Sequence, residues 1–125
     1  MQRIDTNLLN GVTAQAKESP RLRMNHNFHG SLEAKAQRLL NALEPGTVLP
    51  VHRHPHTSET YLLLRGKIRV MFYNDAKEEA ESTVLDPLTG DYGVHIPAGQ
   101  WHTLEVLESG SCLLYTSDAA DDRIS

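Results

Sequence analysis

Cysteine is nearly absent from this sequence, and long apolar runs are missing altogether. Cys112 is the single cysteine among 125 residues, so no disulfide can form within the chain. No stretch approaches the roughly 18 consecutive apolar residues of a membrane-spanning helix, and the N-terminus lacks the apolar core of a secretory signal. The net charge of −4 disfavours general nucleic-acid binding. We therefore expect a cytoplasmic protein with neither membrane nor nucleic acid as a partner.

The side chains best suited to chemistry are concentrated in residues 46–66. His52, His54 and Glu59 fall within eight residues there, among residues typical of β-strands. Side chains two apart on a strand point the same way, so His52 and His54 can converge on one point. Pro55 ends or turns that strand, and the chain can then double back to bring Glu59 to the same place. Imidazole and carboxylate ligands suit a divalent transition metal such as Zn, Fe(II), Mn, Ni or Cu, and the lack of nearby cysteines argues against a thiolate-rich structural site.

A third imidazole is suggested by His102, which follows the turn residues 97–99. His102, Leu104 and Val106 alternate along the chain, so they share one face of a strand. If that face is the interior, His102 points inward with the core. It then becomes a candidate ligand beside His52 and His54.

The rest of the chain predicts a scaffold of short strands preceded by one helix. Residues 5–18 carry apolar side chains at helical spacing, with Thr6 as the expected cap and Pro20 as the stop. Alternation and turn residues predict strands at 21–29, 60–73 with a break at 65–66, 82–85, 92–96 and 102–107, while 74–81 reads as a charged surface connection. Many short strands with Gly/Pro turns are typical of a small β-barrel or jelly roll. A chain of this length forms about one domain, with a core large enough to need no disulfides.

At these positions the sequence resembles the cupins. The first cupin motif is matched at every spacing by Gly46, His52, His54, Glu59 and Gly66. Pro97, Gly99 and His102 match the heart of the second motif. Two positions depart from it: the glycine six residues before Pro97 is replaced by Asp91, and the closing asparagine by Val106.

More narrowly, residues 25–108 resemble the WbuC-type cupin-fold metalloproteins of bacterial surface-polysaccharide gene clusters. The likeness lies in the segments LEPGTVLPVHRHPHTSE, LRGKIRV and IPAGQWHT. It implies a mainly β, single-domain cupin-type barrel (jelly roll) with a short N-terminal helix. It also implies a divalent metal (Fe, Mn, Zn or Ni) on His52, His54, Glu59 and His102, with Glu59 as either ligand or catalytic base, and a homodimer. Residues 31–42 have helix-forming composition, but the resemblance makes 36–43 a barrel strand, and we expect the strand because tertiary context overrides propensity.

A second group of residues could bind a substrate at the metal. Arginine pairs with carboxylates and phosphates through its two-pronged guanidinium. Tyr61 lies two residues from Glu59 and so faces the same way, where it could donate a hydrogen bond to a ligand. The expected substrate-binding residues are Arg23, Asn25, Asn27, His29, Arg38 and Tyr61, with Arg21 and Arg53 as further candidates. Trp101, beside His102, faces the other way and is expected to have a packing role.

The fold class admits more than one function, because cupins host many activities on one barrel. The first hypothesis is a metal-dependent enzyme that acts on a small polar molecule such as a sugar or sugar nucleotide. The alternatives are a non-catalytic barrel that binds or senses a small ligand with a structural metal, and an iron-dependent dioxygenase. By composition the chain divides into a helical segment (1–20), the barrel (21–109) and an atypical tail (110–125), which reads as disordered or as a non-native extension.

Overall fold

The computed structural model describes residues 1–28, 30 and 34–118, which form two antiparallel sheets and one packed helix. The mainly β fold with a short N-terminal helix is the one predicted. The helix is α1 (Thr6–Glu18), and the strands are β1 (Arg23–Asn27), β2 (Ala36–Leu43), β3 (Glu59–Arg65), β4 (Ile68–Tyr73), β5 (Glu79–Leu85), β6 (Gly93–Ile96), β7 (Trp101–Val106) and β8 (Ser111–Asp118). A 3₁₀ turn, Pro87–Thr89, lies between β5 and β6.

The main core lies between the two sheets. The larger sheet has the order β1-β2-β8-β3-β6, and the smaller has the order β5-β4-β7. Inward-facing side chains from both sheets form one buried cluster of Leu43, Tyr61, Leu63, Ile68, Val70, Leu85, Ile96, Leu104, Val106 and Leu113. The prediction that His102 shares its face with Leu104 and Val106 is confirmed, since all three are buried.

The helix α1 covers the outer face of the larger sheet. Its apolar stripe packs against β2 and β8 in a second cluster formed by Leu9, Val12, Ala16, Leu40, Ala42 and Cys112. The helix is capped by Asp5, whose Oδ1 accepts a hydrogen bond from the Leu8 N–H at 3.0 Å. The prediction of Thr6 as the N-cap is wrong by one residue, because Thr6 is already the first residue of the helix. Within the described part of the chain, no helix has the length and apolar character that crossing a membrane requires.

Residues 36–43 form a strand, as the family resemblance implied and against their helix propensity. The strand β2 pairs with β1 on one side and with β8 on the other. Leu40 and Ala42 point toward α1, while Leu43 points into the main core. Burial on both faces offsets the weak intrinsic preference for β structure. The charged connection predicted for 74–81 is shorter than expected, because β5 already begins at Glu79.

The strand β8 lies in the middle of the larger sheet, between β2 and β3. The turn before it is held by the buried Glu44, which accepts hydrogen bonds from the Ser109 hydroxyl and the Gly110 N–H at 2.6 Å each. The first part of the compositionally atypical tail is thus barrel wall. Residues 119–125 lie outside the described part of the chain.

Candidate metal centre

Three separate segments bring the candidate ligands together at one end of the barrel. His102 is the second residue of β7 and Glu59 is the first residue of β3. His52 lies in the loop between β2 and β3, where its backbone exchanges two hydrogen bonds with His102: His52 N–H to His102 O at 3.0 Å and His102 N–H to His52 O at 2.8 Å. The predicted strand through His52 and His54 is therefore reduced to this single bridge.

The side chains of His52, Glu59 and His102 form a compact donor group. Their nearest ligand atoms all lie within 4.8 Å of one another. The rings of His52 and His102 have centroids 4.4 Å apart. Imidazole and carboxylate ligands sit about 2.0–2.2 Å from a zinc ion, so opposite ligands are separated by roughly 4 Å. A divalent metal ion therefore fits between these residues.

Backbone carbonyls fix which ring nitrogens are free to bind a cation. The Nδ1 atom of His102 lies 2.8 Å from Gln100 O, and Nδ1 of His52 lies 3.0 Å from Pro50 O. A carbonyl oxygen only accepts, so in each ring Nδ1–H is the donor and a neutral ring presents its Nε2 lone pair. Metal-binding histidines are commonly oriented by such an outer hydrogen bond.

The carboxylate of Glu59 is buried, and its two oxygens face ring nitrogens of His102 and His54 at close range. Its side chain is 1% exposed, and neither Oε1 nor Oε2 has a hydrogen-bond partner among the described residues. Nε2 of His102 is 2.8 Å from Oε1. Buried charges are normally paired or bound to a metal. A cation between Glu59 and His102 would satisfy both.

The electrostatics of the site keep its ligands in the forms that bind metals. Burial raises the pKa of Glu59, but the facing His102 ring, the charge of His54 and the Tyr115 hydroxyl outweigh it, so the net pKa lies below its ordinary value. Burial also lowers the pKa of His52, more than its hydrogen bond to Pro50 O raises it. At neutral pH the carboxylate is therefore ionised and the His52 ring is neutral, as metal binding requires.

His54 lies beside the three-residue group, and its Nε2 is 3.4 Å from Oε2 of Glu59. Its ring centroid is 5.5 Å from that of His52 and 6.3 Å from that of His102. His54 thus faces the second oxygen of the carboxylate while His102 faces the first. The structure places it within reach of the centre but outside the group that converges within 4.8 Å.

The donor group borders an open cavity of about 220 Å³ between the sheets. Tyr61 lines it, 5% exposed, and its hydroxyl lies 3.2 Å from Nε2 of His102. Since that nitrogen presents a lone pair, the Tyr61 hydroxyl donates to it. Burial raises the pKa of Tyr61, so the phenol keeps its proton. The lining residues are Arg23, Asn25, Asn41, Leu43, Leu49, His52, His54, Glu59, Tyr61, Leu104, Leu113 and Tyr115.

The structure brings only part of the predicted substrate-binding set to this cavity. Arg23, Asn25 and Tyr61 line it, and the Arg23 guanidinium donates to Val48 O at 3.1 Å. Asn27 is exposed and is not among the lining residues. Arg38 lies on the opposite face of β2, because it has the same parity as Leu40, which packs under α1. His29 lies outside the described residues.

Asn41 and Tyr115 line the cavity but were missed from the sequence. Asn41 lies opposite Asn25 in the β1–β2 register, and Tyr115 lies opposite Tyr61 in the β3–β8 register. Alternation along 36–43 would have placed Asn41 on the inner face once that segment was taken as a strand. Residues 112–115 could be expected to form a last strand, but Tyr115 was missed because the tail departs from the family pattern and was excluded as a source of site residues.

Solved structures with the same architecture identify the class of fold. The cupin domain of Cnp3 from Schizosaccharomyces pombe matches with a TM-score of 0.62 and 17% identity, over 81% of this chain and 67% of that one. KdgF from Halomonas sp. matches with a TM-score of 0.66 and 15% identity, over 86% of each chain. The capsular polysaccharide assembling protein CapF from Staphylococcus aureus matches with a TM-score of 0.65 and 21% identity, over 80% of this chain but 27% of CapF. The chain therefore has a cupin fold.

Sequence comparison places the chain in a family. It belongs to the family described as Domain of unknown function (DUF6016), whose model matches residues 4–85. The matched range contains His52, His54 and Glu59 and ends before His102. No curated protein sequence matches the chain.

Proposed function

We propose that this protein is a metal-dependent cupin enzyme that acts on a small polar molecule. The observation that carries the proposal is the buried, ionised Glu59 carboxylate, which lies with His52 and His102 in one compact donor group at the edge of an open cavity. A buried carboxylate beside two imidazoles is expected where a cation is bound. The adjoining cavity gives a second molecule access to that cation.

The donor set suits Fe, Mn, Zn or Ni, with His52, Glu59 and His102 as ligands and His54 completing the set. A divalent metal at this point supplies Lewis acidity to a bound oxygen atom and lowers the pKa of a bound water. His52 and His102 are oriented before binding by Pro50 O and Gln100 O. If Glu59 is left free of the metal, its carboxylate is the candidate general base, because it is ionised and borders the cavity.

The remaining cavity walls suit a ligand with several oxygen atoms. Asn25, Asn41 and Arg23 supply amide and guanidinium donors, and Tyr61 supplies a protonated phenol. Leu43, Leu49, Leu104 and Leu113 supply the apolar part of the lining. We infer that a molecule about the size of one sugar ring binds here, since cavities for drug-sized ligands begin at about 300 Å³.

A sugar or sugar nucleotide of bacterial surface-polysaccharide metabolism is the substrate class we propose. Two observations support it: the sequence resemblance to WbuC-type cupins and the structural likeness to CapF, a capsular polysaccharide assembling protein. A nucleotide would extend beyond the cavity, so its sugar end is the part that would reach the metal.

Metal analysis of the purified protein tests the first step of this proposal. The wild type is expected to carry close to one equivalent of a transition metal, and His52→Ala and His102→Ala are expected to lose most of it. His95→Ala is the matched control, because His95 is an exposed histidine on β6 whose Nδ1 lies 3.0 Å from the Thr60 hydroxyl. Full metal content in the two ligand variants would refute the site.

Turnover is then measured with the loaded protein across sugars and sugar nucleotides, with and without air. Conversion without oxygen supports the proposed class of enzyme, whereas oxygen consumption on adding a compound selects the dioxygenase. A second candidate function is a purely structural metal site. One observation favours it: the loop that carries His52 pairs with β7 through a single backbone bridge. In that case metal raises the melting temperature and no compound is converted.

A further inference from the structure

Trp101, the single tryptophan of the chain, lies between two cations beside the metal centre. The guanidinium carbon of Arg53 is 4.6 Å from the centroid of its ring, and Nζ of Lys77 is also 4.6 Å from it. Both distances are within the range of a cation–π interaction. Arg53 is flanked in the chain by His52 and His54, and Trp101 directly precedes His102. The contact therefore joins the immediate chain neighbours of three candidate ligands.

Backbone contacts join the same two segments. His52 and His102 exchange two hydrogen bonds, and the Gly99 N–H donates to His54 O at 2.8 Å. Side chains alternate about such a bridge, so His52 and His102 point inward while Arg53 and Trp101 point outward. The exposed Arg53 thus contacts Trp101 on the outer face of the bridge, and the candidate ligands lie on its inner face.

We propose that the Arg53–Trp101 contact is a positioning contact, which holds the segment bearing His52 and His54 against β7 before a metal binds. This inference rests on the proposed metal centre. The loop between β2 and β3 carries two candidate ligands, His52 and His54, but no regular strand pairing, so its position depends on a few contacts. A loop held in place loses less conformational freedom on binding, and the metal then binds more tightly.

The charge of Arg53 and its positioning role predict opposite changes in metal affinity when Arg53 is replaced. Arg53 is a cation close to the centre and repels a divalent metal, so its removal should tighten metal binding if only charge mattered. Positioning predicts that its removal weakens binding. An exposed cation–π pair accounts for about a two- to five-fold change in a binding constant.

The experiment measures Zn²⁺ affinity by competition with a chromophoric chelator. Arg53→Gln, which leaves a shorter, polar and uncharged side chain, is expected to weaken binding about three-fold, and Arg53→Lys to recover part of the loss. Lys77→Gln is the charge-matched control, because Lys77 contacts the same ring from the turn before β5, which carries no candidate ligand. It is expected to leave the affinity unchanged or slightly higher.

A double variant tests whether the effect passes through Trp101. In a Trp101→Leu background, Arg53→Gln is expected to have no further effect on Zn²⁺ affinity. In proteins that keep Trp101, Zn²⁺ should change its fluorescence less in the wild type than in Arg53→Gln, because the ring is already held.

The outcomes separate this inference from the metal site. If the wild type binds no Zn²⁺, Mn²⁺ or Fe²⁺, the proposed function fails. If the wild type binds and Arg53→Gln binds as tightly or more tightly, the positioning role alone is refuted. An equal loss in Lys77→Gln would also refute it, since the effect would then not depend on the ligand loop.

Discussion

Nε2 of His102 lies 2.8 Å from Oε1 of Glu59, and both side chains are 1% exposed. Nδ1–H of His102 is already donated to Gln100 O, so whenever the ring is neutral its Nε2 lone pair faces the carboxylate. Two electron-rich atoms at this distance repel each other unless a positive charge lies between them. A cation held between them would remove this repulsion, which explains why the two side chains face each other.

Glu59→Gln should accordingly cost little stability without metal and much more with it. In chelator, the variant is expected to lose only a little stability, because it removes the interactions of the ionised carboxylate with His102, His54 and Tyr115 but also the cost of burying its charge. With Zn²⁺ at about 100 times its dissociation constant, the wild type should gain about 2.7 kcal/mol. The variant should gain much less. Urea unfolding under both conditions measures the two effects.

Glu44→Gln is the matched control for that experiment. Glu44 is also buried, but its carboxylate accepts hydrogen bonds from Ser109 and Gly110. The change is expected to cost about 1–3 kcal/mol without metal, because hydrogen bonds to a charged group are lost. Its response to Zn²⁺ should match that of the wild type. A large loss of stability in metal-free Glu59→Gln would contradict our reading of Glu59.

Gly66 is expected to be far less tolerant of a side chain than other turn glycines. It has φ +94°, and a Cβ atom there would lie 2.1 Å from Oγ and 2.5 Å from Cα of Ser111. Gly90 has a similar φ of +86° but nothing within 4 Å of that position. Gly90→Ala should cost about 1 kcal/mol from backbone strain alone. Gly66→Ala should cost about 2–4 kcal/mol, because steric overlap with β8 adds to the strain. Equal midpoints of urea unfolding for the two variants would refute the close approach.

Much of this architecture is readable from local patterns. The face shared by His102, Leu104 and Val106 follows from alternation alone, and the structure buries all three. The helix over residues 6–18 follows from the spacing of its apolar residues, although its cap is Asp5 and not Thr6. Two motifs distant in sequence suggested a shared centre, because both matched one known fold.

Other features depend on contacts that no local pattern encodes. Residues 36–43 have helix propensity, and they form a strand because β1, β8 and α1 bury both of its faces. Tyr115 reaches the cavity only because β8 is inserted between β2 and β3. Arg38 was grouped with Arg23 by residue type, but strand parity places the two on opposite faces of the sheet. Residue type predicted the chemistry, and pairing partners decided which side chains meet.

The Tyr61 hydroxyl and a bound metal would compete for the same lone pair, on Nε2 of His102. The hydroxyl lies 3.2 Å from Nε2 of His102, and that bond must be released when the nitrogen binds a cation. Tyr61→Phe should therefore bind Zn²⁺ as tightly as the wild type or up to about five-fold more tightly, since a neutral hydrogen bond contributes about 1 kcal/mol. If Tyr61 also binds substrate, the same variant should raise KM. Chelator competition measures the first effect, and a marked loss of Zn²⁺ affinity would contradict it.

The metal-free protein should lose stability as the pH falls below about 6.5, the ordinary pKa of histidine. Burial lowers the pKa of His52 in the folded state, so below pH 6.5 the unfolded chain binds a proton that the folded protein resists, and unfolding is favoured. Protonation of Glu59 also lowers the stability, but at lower pH. Its folded pKa is depressed, so the unfolded chain takes up the proton first. His52→Ala should flatten the first part of this decline and leave the second. Melting temperatures between pH 4 and pH 8 in the presence of chelator measure this dependence. If the melting temperature of the wild type rises as the pH falls through 6, His52 is not the neutral ligand described above.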